Sequence, residues 1–331
     1  MTQFLIYLGF ALAAYSVVAN DVIQTLGTFL TSNKKRPWWV LWIFAGSIMG
    51  IVLVYGWFVN GGDVSFSRLI GDAKDGYGFD NPKYPVPNPF EWWYVLPPLV
   101  LLIITRFGIP VSTTFLVLTF FAPKNLGDML VKSLVGYAVA FAAAVIFYLI
   151  IAKLFEKHFM EDDLHKSPKK KLWWTIAQWC ATAFLWSQWL MQDFANIYVY
   201  LPRQLSVTEL LVSMGVLIGL LGYIFYQRGG AIQKIVKSKR NTSDIRSATI
   251  IDLLFGIILY YFKEVNSIPM STTWVFLGLL AGREYALNIR LDKEKFSKKV
   301  HRVVMFDLGK VTLGLLVSVG LVAAIHYLKA F

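Results

Sequence analysis

Two stretches of the chain, GIPVSTTFLVLTFF (residues 108–121) and SIPMSTTWVFLGLL (residues 267–280), share one pattern. Each contains Ile-Pro, one apolar residue, then Ser-Thr-Thr, and ends in a hydrophobic run. Pro110 and Pro269 favour the start of a new helix, and a serine two residues later is a good helix N-cap. Each stretch therefore predicts a break within an apolar segment, at which a second, half-length helix begins.

The whole chain has the composition of a membrane protein. Hydrophobic residues make up 56% of its 331 residues and charged residues 16%, against about 25% charged in soluble domains. Continuous apolar runs of about 20 residues recur, which predicts membrane-spanning helices. The start of the chain lacks a basic region and a small-residue cleavage site, so we interpret it as a first membrane segment. The lone Cys180 excludes an internal disulfide.

Eight membrane elements are predicted from the apolar runs. Two of them, 92–122 and 247–282, are too long for one crossing and contain the Ser-Thr-Thr breaks. We interpret these two as re-entrant hairpins, which enter and leave the membrane on the same side. The other six are expected to cross once: 3–31, 38–59, 130–152, 172–201, 206–226 and 303–329.

The distribution of basic residues supports this topology. With six crossings, four loops share one side: 32–37, 153–171, 227–246 and 283–302. They hold 22 of the 32 Lys and Arg residues, whereas loop 60–91 on the opposite side holds 3 basic and 5 acidic residues. The positive-inside rule then puts the basic loops in the cytoplasm and both termini outside. These loops explain the net charge of +12, and no nucleic-acid partner is expected.

The order span, span, hairpin, span in residues 1–152 repeats in residues 172–331, after a basic cytoplasmic linker at 153–171. Each half crosses the membrane three times, so the second half is inverted relative to the first. Inverted-topology repeats are a transporter architecture with a binding site near the middle of the bilayer. The predicted fold class is an all-α integral membrane protein with two inverted repeats, each with a broken Asp-bearing segment and a re-entrant Ser-Thr-Thr hairpin.

An acidic residue lies deep in the first element of each half. The pattern amide, Asp, two residues, amide occurs in both: Asn20-Asp21-x-x-Gln24 and Gln192-Asp193-x-x-Asn196. An ionised carboxylate in hydrocarbon is costly unless it faces a polar cavity or a cation. Carboxylate and carboxamide oxygens suit Na+ or a proton relay, and the amide three residues on lies on the same helix face. These six residues are the predicted cation site, with sodium at Asp21 and Asp193. The alternative is that the two acids only hold helices together.

The two Ser-Thr-Thr triplets complement the acidic residues. A helix that begins in mid-membrane offers free backbone N–H groups and the positive end of its dipole. Three hydroxyls per triplet add further donors, so two triplets make an anion site without Lys or Arg. The alternative is that the hydroxyls satisfy backbone groups freed by the prolines. The predicted substrate-binding residues are Ser112, Thr113, Thr114, Ser271, Thr272 and Thr273, together with Asp21 and Asp193.

Other polar residues give weaker signals. Arg106 and Lys263 come just before the triplets, where they either help to hold an anion or extend to the membrane surface. No pair of histidines has the spacing of zinc ligands and no Walker-type glycine loop is present, so ATP-driven transport is not expected. We expect no cofactor, and Na+ or H+ as the coupling ion. Four acids near loop boundaries are expected to be interfacial charges: Glu91, Asp244, Asp252 and Asp307.

These motifs resemble those of the inorganic phosphate transporter (PiT) family. That family carries an Asn-Asp-x-x-Asn-type signature early in each inverted half and a Pro-Val-Ser-Thr-Thr-type hairpin later in each half. The chain differs from it at Phe115 and Trp274, where a His usually follows the triplet, and at the amides Gln24 and Gln192. The similar residues are Asn20-Asp21, Asp193 with Asn196, PVSTT (110–114) and PMSTT (269–273).

The resemblance implies cation-coupled uptake of phosphate, with phosphate and cations between the triplets and the Asp segments. The expected function is a secondary active transporter, not an enzyme, that carries inorganic phosphate with Na+ or H+ in a bacterial-type inner or plasma membrane. Alternatives are symport of another oxyanion such as sulfate, a passive anion channel, and a membrane-embedded enzyme acting on lipid phosphate. The expected partners are a small inorganic anion and the lipid bilayer; a homodimer is compatible with the sequence, which leaves the oligomeric state open.

Overall fold

The chain is described from a computed structural model that gives residues 1–107, 111–151, 167–227, 245–265, 269–291 and 298–329. These residues are mostly helical and contain no β-strand, which confirms the all-α prediction. Most of the predicted linker 153–171 lies outside the described residues. The helices are α1 (Thr2–Ser32), α2 (Trp38–Val59), α3 (Leu96–Arg106), α4 (Thr119–Phe121), α5 (Leu126–Ile151), α6 (Pro168–Tyr198), α7 (Val207–Tyr226), α8 (Ile245–Val265), α9 (Thr272–Leu291) and α10 (Lys298–Lys329).

Six helical segments of the described ranges are long and apolar enough to cross a membrane. Large apolar side chains are exposed on their outer faces, for example Ile51 and Phe58 on α2 and Leu316 on α10. Exposed apolar surface of this extent suits lipid and not water. The chain is therefore an integral membrane protein, and the side that each terminus faces stays a prediction. The six segments are Thr2–Asn20, Trp38–Val59, Pro123–Ile150, Val207–Tyr226, Ile245–Glu264 and Val304–Ile325.

The two Asp-bearing segments are uninterrupted helices. α1 and α6 each run for 31 residues, with no break at Asp21 or Asp193. The prediction of a broken Asp-bearing segment in each half is therefore wrong. Among the described polar residues that suggested a break, Asn20, Gln192 and Asn196 bond through their side chains to neighbouring elements. The helical backbone therefore has no need to open there.

The helix breaks predicted at the two Ser-Thr-Thr triplets are present. In the first segment, α3 ends at Arg106, and a π-helical turn at Thr114–Leu118 leads into α4. In the second segment, α8 ends at Val265 and α9 begins at Thr272. The local sequence explains the second start, because Pro269 and Ser271 precede the new helix as its breaker and its N-cap.

The described residues at the two breaks are named tip 1 (residues 111–114) and tip 2 (residues 269–273). Residues 108–110, which include Pro110, and residues 266–268 lie outside the described residues. The tips are fully buried, so the breaks lie inside the helix packing. The return of each segment to the side that it entered, as a re-entrant hairpin, stays a prediction.

The same pattern of helix contacts occurs in both halves of the chain. α1 packs against α3, and α6, which occupies the same place in the second half, packs against α8. α1 also contacts α7, as α6 contacts α2. The second part of each broken segment packs against the last helix of the opposite half: α9 against α5, and the π-helical turn and α4 against α10. The second part of each broken segment thus belongs to the packing of the opposite half.

The contact between α5 and α9 is a close approach of two backbones. Gly278 and Gly282 lie one turn apart on α9 as a Gly-x-x-x-Gly motif. A Cβ atom at Gly278 would lie 2.4 Å from the carbonyl oxygen of Tyr137, and one at Gly282 would lie 2.3 Å from that of Phe141. Glycines let membrane helices pack closely where lipid removes the hydrophobic driving force. These two glycines therefore hold the helix that follows tip 2 against α5.

Candidate functional site

The two tips contact each other through matched hydrogen bonds. Thr114 of tip 1 donates its hydroxyl to the carbonyl of Met270 in tip 2, 3.1 Å away. Thr273 of tip 2 donates its hydroxyl to the carbonyl of Val111 in tip 1, 3.3 Å away. The two threonines hold the same position in their motifs, and so do the two acceptors. The duplicated motif thus makes duplicated, reciprocal contacts.

The serine of each triplet caps the helix that follows it. Ser112 Oγ accepts a hydrogen bond from the backbone N–H of Phe115 at 3.2 Å, and Ser271 Oγ accepts one from the N–H of Trp274 at 3.3 Å. Such a cap satisfies a free N–H group of the first helical turn. The rings of Phe115 and Trp274 are buried and meet edge to face, with centres 6.3 Å apart. They place apolar surface directly beside the tips.

Asn20 joins α1 to tip 1. Its side-chain N–H donates to the Val111 carbonyl at 2.9 Å, the same oxygen that accepts from Thr273. Asn20 is fully buried, and the bond brings the first Asp motif to the tips. The side chains of Asp21 and Gln24 lie outside the described residues, so their place in the site stays a prediction.

Asn196 and Asp193 of α6 lie at the same tips. The Asn196 amide nitrogen is 2.9 Å from Thr113 Oγ1 and 3.4 Å from Thr114 Oγ1, and it also donates to Asp193 Oδ1 at 2.5 Å. The Thr272 hydroxyl of tip 2 is close enough to stabilise the carboxylate. Both α6 side chains are completely buried. The second Asp motif therefore reaches both tips.

Two oxygens of this pair have no donor at hydrogen-bonding geometry in the described part of the chain: Oδ2 of Asp193 and Oδ1 of Asn196. Buried polar atoms are nearly always hydrogen-bonded, and an unpaired one costs about 1–3 kcal/mol. Carboxylate and carboxamide oxygens are the ligands that hard cations prefer. A carboxylate also takes up a proton, so the pair fits either Na+ or H+.

The predicted cation ligand Gln192 contacts a cation of the protein itself. Its side-chain oxygen accepts hydrogen bonds from the guanidinium of Arg68, 3.0 Å from Nε and 2.7 Å from Nη2. Its amide nitrogen donates to the carbonyl of Leu259 at 3.2 Å. Both ends of the carboxamide are therefore used in this arrangement, and its role as a ligand of a mobile cation stays a prediction.

Arg68 is a member of the site that sequence analysis did not single out. It lies in loop 60–91, is 1% exposed and is close enough to Asp193 for electrostatic attraction. Burial lowers its pKa to about 10, which leaves the guanidinium charged at neutral pH. A turn in which Asp63 Oδ1 accepts from the backbone N–H of Ser65 at 2.7 Å leads the loop inward. The sequence offered one signal, the single arginine of a loop with an acidic excess.

Asp252 is buried, which corrects the expectation of an interfacial charge. It is 1% exposed on α8 and accepts hydrogen bonds from the hydroxyls of Thr28 on α1 and Thr182 on α6. One carboxyl group thus ties together both Asp-bearing helices and α8. Nearness to a loop along the sequence was misleading, because it does not say which face of the helix a residue occupies. Of the other three acids, Glu91 is half-buried, and the side chains of Asp244 and Asp307 lie outside the described residues.

We expect Asp252→Ala to destabilise the protein, because it leaves the hydroxyls of Thr28 and Thr182 without their shared acceptor. Each buried hydroxyl without a partner costs about 1–3 kcal/mol. Asp252→Asn keeps one acceptor and is expected to lose less. Thermal unfolding in detergent, followed by size-exclusion chromatography, measures both variants. An alanine variant as stable as the wild type would contradict the tie between the helices.

The two basic residues that precede the tips show no bond to them in the described ranges. Arg106 at the end of α3 is exposed. Lys263 near the end of α8 forms a salt bridge with Glu264, with 2.8 Å between Nζ and Oε1. Both positions fit the alternative in which the side chains of Arg106 and Lys263 extend to the membrane surface. No group of three or more His, Cys, Asp or Glu side chains that could hold a metal ion occurs among the described residues.

Among solved structures, the chain is similar to one described as "The sodium-dependent phosphate transporter". The two share 15% sequence identity over 98% of this chain and 96% of that chain, with a TM-score of 0.65. No protein-family model and no curated protein matches the sequence. At this level of identity the likeness concerns the fold, and the chemistry must come from the residues of the chain itself. The chain has a phosphate-transporter-like fold.

Proposed function

We propose that the protein is a secondary active transporter that carries inorganic phosphate together with Na+ or H+ by alternating access. The observation that carries this proposal is the meeting of both tips with Asp193 and Asn196 inside the protein. Groups that suit an anion and groups that suit a cation are in contact at one place. The similar structure is that of a sodium-dependent phosphate transporter, which supports the same class of function.

The tips supply the groups that suit an anion. α9 begins at Thr272, so its first backbone N–H groups and the positive end of its dipole lie at tip 2. The hydroxyls of Thr114 and Thr273 donate to carbonyl groups across the tips, and an oxyanion between the tips would accept the same donors. Phosphate spreads its charge over several oxygens, so it can take donors from both tips at once.

The Asp193–Asn196 pair supplies the groups that suit a cation. A cation bound to the carboxylate lowers the cost of bringing a negatively charged substrate into the interior of the membrane. By linkage, the bound anion raises the affinity of the cation by the same factor. Coupled transport follows when the site changes sides only after both ions are bound.

We also infer that the chain is built from two inverted repeats, residues 1–152 and 172–331. The recurrence of helix contacts with the halves exchanged supports this inference. The reciprocal bonds of Thr114 and Thr273 support it at the site itself. Two related halves around one site can expose it to either side of the membrane by rocking against each other.

Uptake of labelled phosphate into proteoliposomes tests the proposed function. An inward Na+ gradient, or an H+ gradient in separate vesicles, is expected to drive phosphate above its external concentration, because the anion enters only with a cation. Excess arsenate is expected to compete and bicarbonate is not. The absence of accumulation with either gradient would contradict symport.

The same assay separates the alternatives. A passive anion channel would bring phosphate to equilibrium and no further. Stronger competition by sulfate than by arsenate would assign the site to sulfate as the other oxyanion. Release of phosphate from lipid without any uptake would identify a membrane-embedded enzyme.

A further inference from the structure

Loop 60–91 folds inward and reaches the candidate site. Its Arg68 is 1% exposed, and the guanidinium donates to Gln192 Oε1 of α6, at 3.0 Å from Nε and 2.7 Å from Nη2. Gln192 directly precedes Asp193 in the chain. The loop therefore lies against the part of α6 that carries Asp193 and Asn196.

The same loop is joined to the second half of the chain at its rim. Residues 203–205 follow α6 and donate hydrogen bonds to three backbone carbonyls of the loop, two near its start and one near its end. The bonds join Gln204 Nε2 to Gly61 at 2.9 Å, the N–H of Leu205 to Gly62 at 3.0 Å, and Arg203 Nε to Tyr84 at 2.7 Å. A loop of the first half thus closes over the end of α6, which belongs to the second half.

The turn that carries Arg68 is strained. Phe66 and Ser67, which precede it, have positive φ angles of 52° and 63°, a region that residues with side chains rarely adopt. Asp63 holds the turn, because its Oδ2 accepts from the backbone N–H of Ser67 at 2.7 Å. α2 makes room for the Phe66 ring at Gly56, where an added Cβ atom would lie 2.9 Å from the ring. Backbone strain of this kind clusters at functional sites, and here it directs the arginine towards α6.

Arg203 and Arg68 make contacts of different kinds. The bonds of Arg68 within the described ranges go to the carbonyl of Phe66 in its own loop, at 3.3 Å, and to one oxygen of Gln192. The contact of Arg68 with the second half therefore depends on one side chain, which can exchange it for water. The guanidinium of Arg203 is bonded to four backbone carbonyls, those of Tyr84, Tyr198, Val199 and Leu201.

The loop is held together as a unit and begins at two glycines. Two of its segments pair through backbone hydrogen bonds, from Lys83 to Ile70 at 2.8 Å and from Tyr84 to Leu69 at 2.9 Å. Gly61 and Gly62 have positive φ angles of 60° and 101°, which glycine adopts without strain. The hinge of a lid consists of a few residues that take up a change in backbone angles. These two glycines can serve as such a hinge.

We propose that loop 60–91 is a lid, which closes the candidate site on its own side and is held shut by the bond from Arg68 to Gln192. The inference rests on the proposed function, because alternating access opens the site to each side in turn. To open on the side of the loop, the lid must release Gln192 and residues 203–205. Arg68 is then a positioning residue, since it acts on the site through Gln192.

A disulfide across the rim of the lid tests its role in transport. A Cβ atom added at Gly62 would lie 2.7 Å from Cγ of Gln204, which is within the reach of a disulfide. In a Cys180→Ser background, oxidation of Gly62→Cys/Gln204→Cys is expected to abolish phosphate uptake into proteoliposomes. Each transport cycle must open the lid once, so the block holds whichever way the protein is inserted. A reductant is expected to restore uptake.

The reduced double variant is its own control, because it carries the same substitution at the positive φ of Gly62. Gln204→Cys alone, treated with the same oxidant, is expected to keep its rate of uptake. Mass spectrometry of the oxidised protein verifies the cross-link. Full uptake by the cross-linked protein would overturn the lid and leave the proposed function standing.

The distance between two spin labels follows the lid without any transport. Lys74→Cys in the loop and Val207→Cys at the start of α7 carry the labels, since both positions are exposed. Cys180→Ser again removes the natural thiol, and the full chain is measured in nanodiscs. We expect one distance in this background. Arg68→Gln is expected to add a longer distance, because the loop loses its hold on Gln192.

Two further variants show whether this change belongs to the bond. Arg68→Lys keeps a donor for Gln192 and is expected to restore the single distance. Arg106→Gln, which replaces an exposed arginine, is the matched control and is expected to leave the distance unchanged. The absence of a longer distance in Arg68→Gln, or its persistence in Arg68→Lys, would overturn the proposal. A lid that opens in Arg68→Gln, in a protein that accumulates phosphate with neither gradient, would overturn the proposed function and leave the lid standing.

Discussion

Replacing Asp193 by Asn is expected to abolish cation-driven uptake while leaving the fold intact. Asn keeps the size of the side chain and one acceptor oxygen but removes the charge that attracts a cation. Removing one partner of a buried charge interaction costs about 2–5 kcal/mol of binding free energy, which is roughly thirtyfold or more in affinity for the cation. Initial rates of phosphate uptake at a fixed Na+ or H+ gradient measure the loss.

Asp128→Asn is the matched control, because Asp128 is an exposed acid of α5. We expect it to transport at the wild-type rate. An unchanged thermal unfolding midpoint of Asp193→Asn would separate lost coupling from lost structure. The same loss of uptake is expected for Asp21→Asn from the motif alone. Full cation-driven transport by Asp193→Asn would rule out this residue as the coupling group.

The second large effect is expected at the contact between α5 and α9. Gly278→Leu and Gly282→Leu would push a side chain into the backbone of α5, since even a Cβ atom at these places comes within 2.4 Å and 2.3 Å of a carbonyl oxygen. Overpacking of this kind costs about 1–3 kcal/mol and sometimes more. We therefore expect a large fall in the thermal unfolding midpoint, or failure to yield a monodisperse protein in detergent.

Two other membrane glycines provide the comparison. Gly215 and Gly219 on α7 have no atom within 4 Å of an added Cβ. Gly215→Leu and Gly219→Leu are therefore expected to keep the wild-type unfolding midpoint, measured in the same detergent. Equal effects at all four positions would show that leucine disturbs any helix of this protein and that the contact between α5 and α9 has no special role.

The tips could be predicted because their signal is local and duplicated. A proline followed by a serine cap fixes where a helix restarts, and the described non-helical residues of the two breaks are 111–112 and 269–271. The duplication pointed to a shared site, and the bonds from Thr114 and Thr273 place the tips in contact. Sequence also singled out Asp193 and Asn196, since both a carboxylate and its amide neighbour are unusual so deep in an apolar segment. The two side chains lie beside tip 1, and their binding of ions stays a prediction.

The rest of the site depends on contacts between distant parts of the chain. Arg68 belongs to a loop whose inward path is set by the turn at Asp63, and nothing within the loop says that its guanidinium ends at Gln192. Asp252 was misjudged because its partners lie on two other helices. The continuous course of α1 and α6 was missed for the same reason, since polar side chains satisfied by neighbouring elements do not break the helix that carries them.

Because the second part of each broken segment packs against the opposite half, some helix contacts can form only late in the synthesis of the chain. α5 ends at Ile151, yet its partner α9 begins at Thr272, and Ser133 and Ser271, which share a hydrogen bond, are 138 residues apart. At about 5–20 residues per second, the ribosome needs roughly 7 to 28 seconds to span that distance. Until then the face of α5 that receives Gly278 and Gly282 must be shielded by lipid or by an insertion factor. A nascent chain stalled before α9 would hold neither the paired tips nor a finished first half.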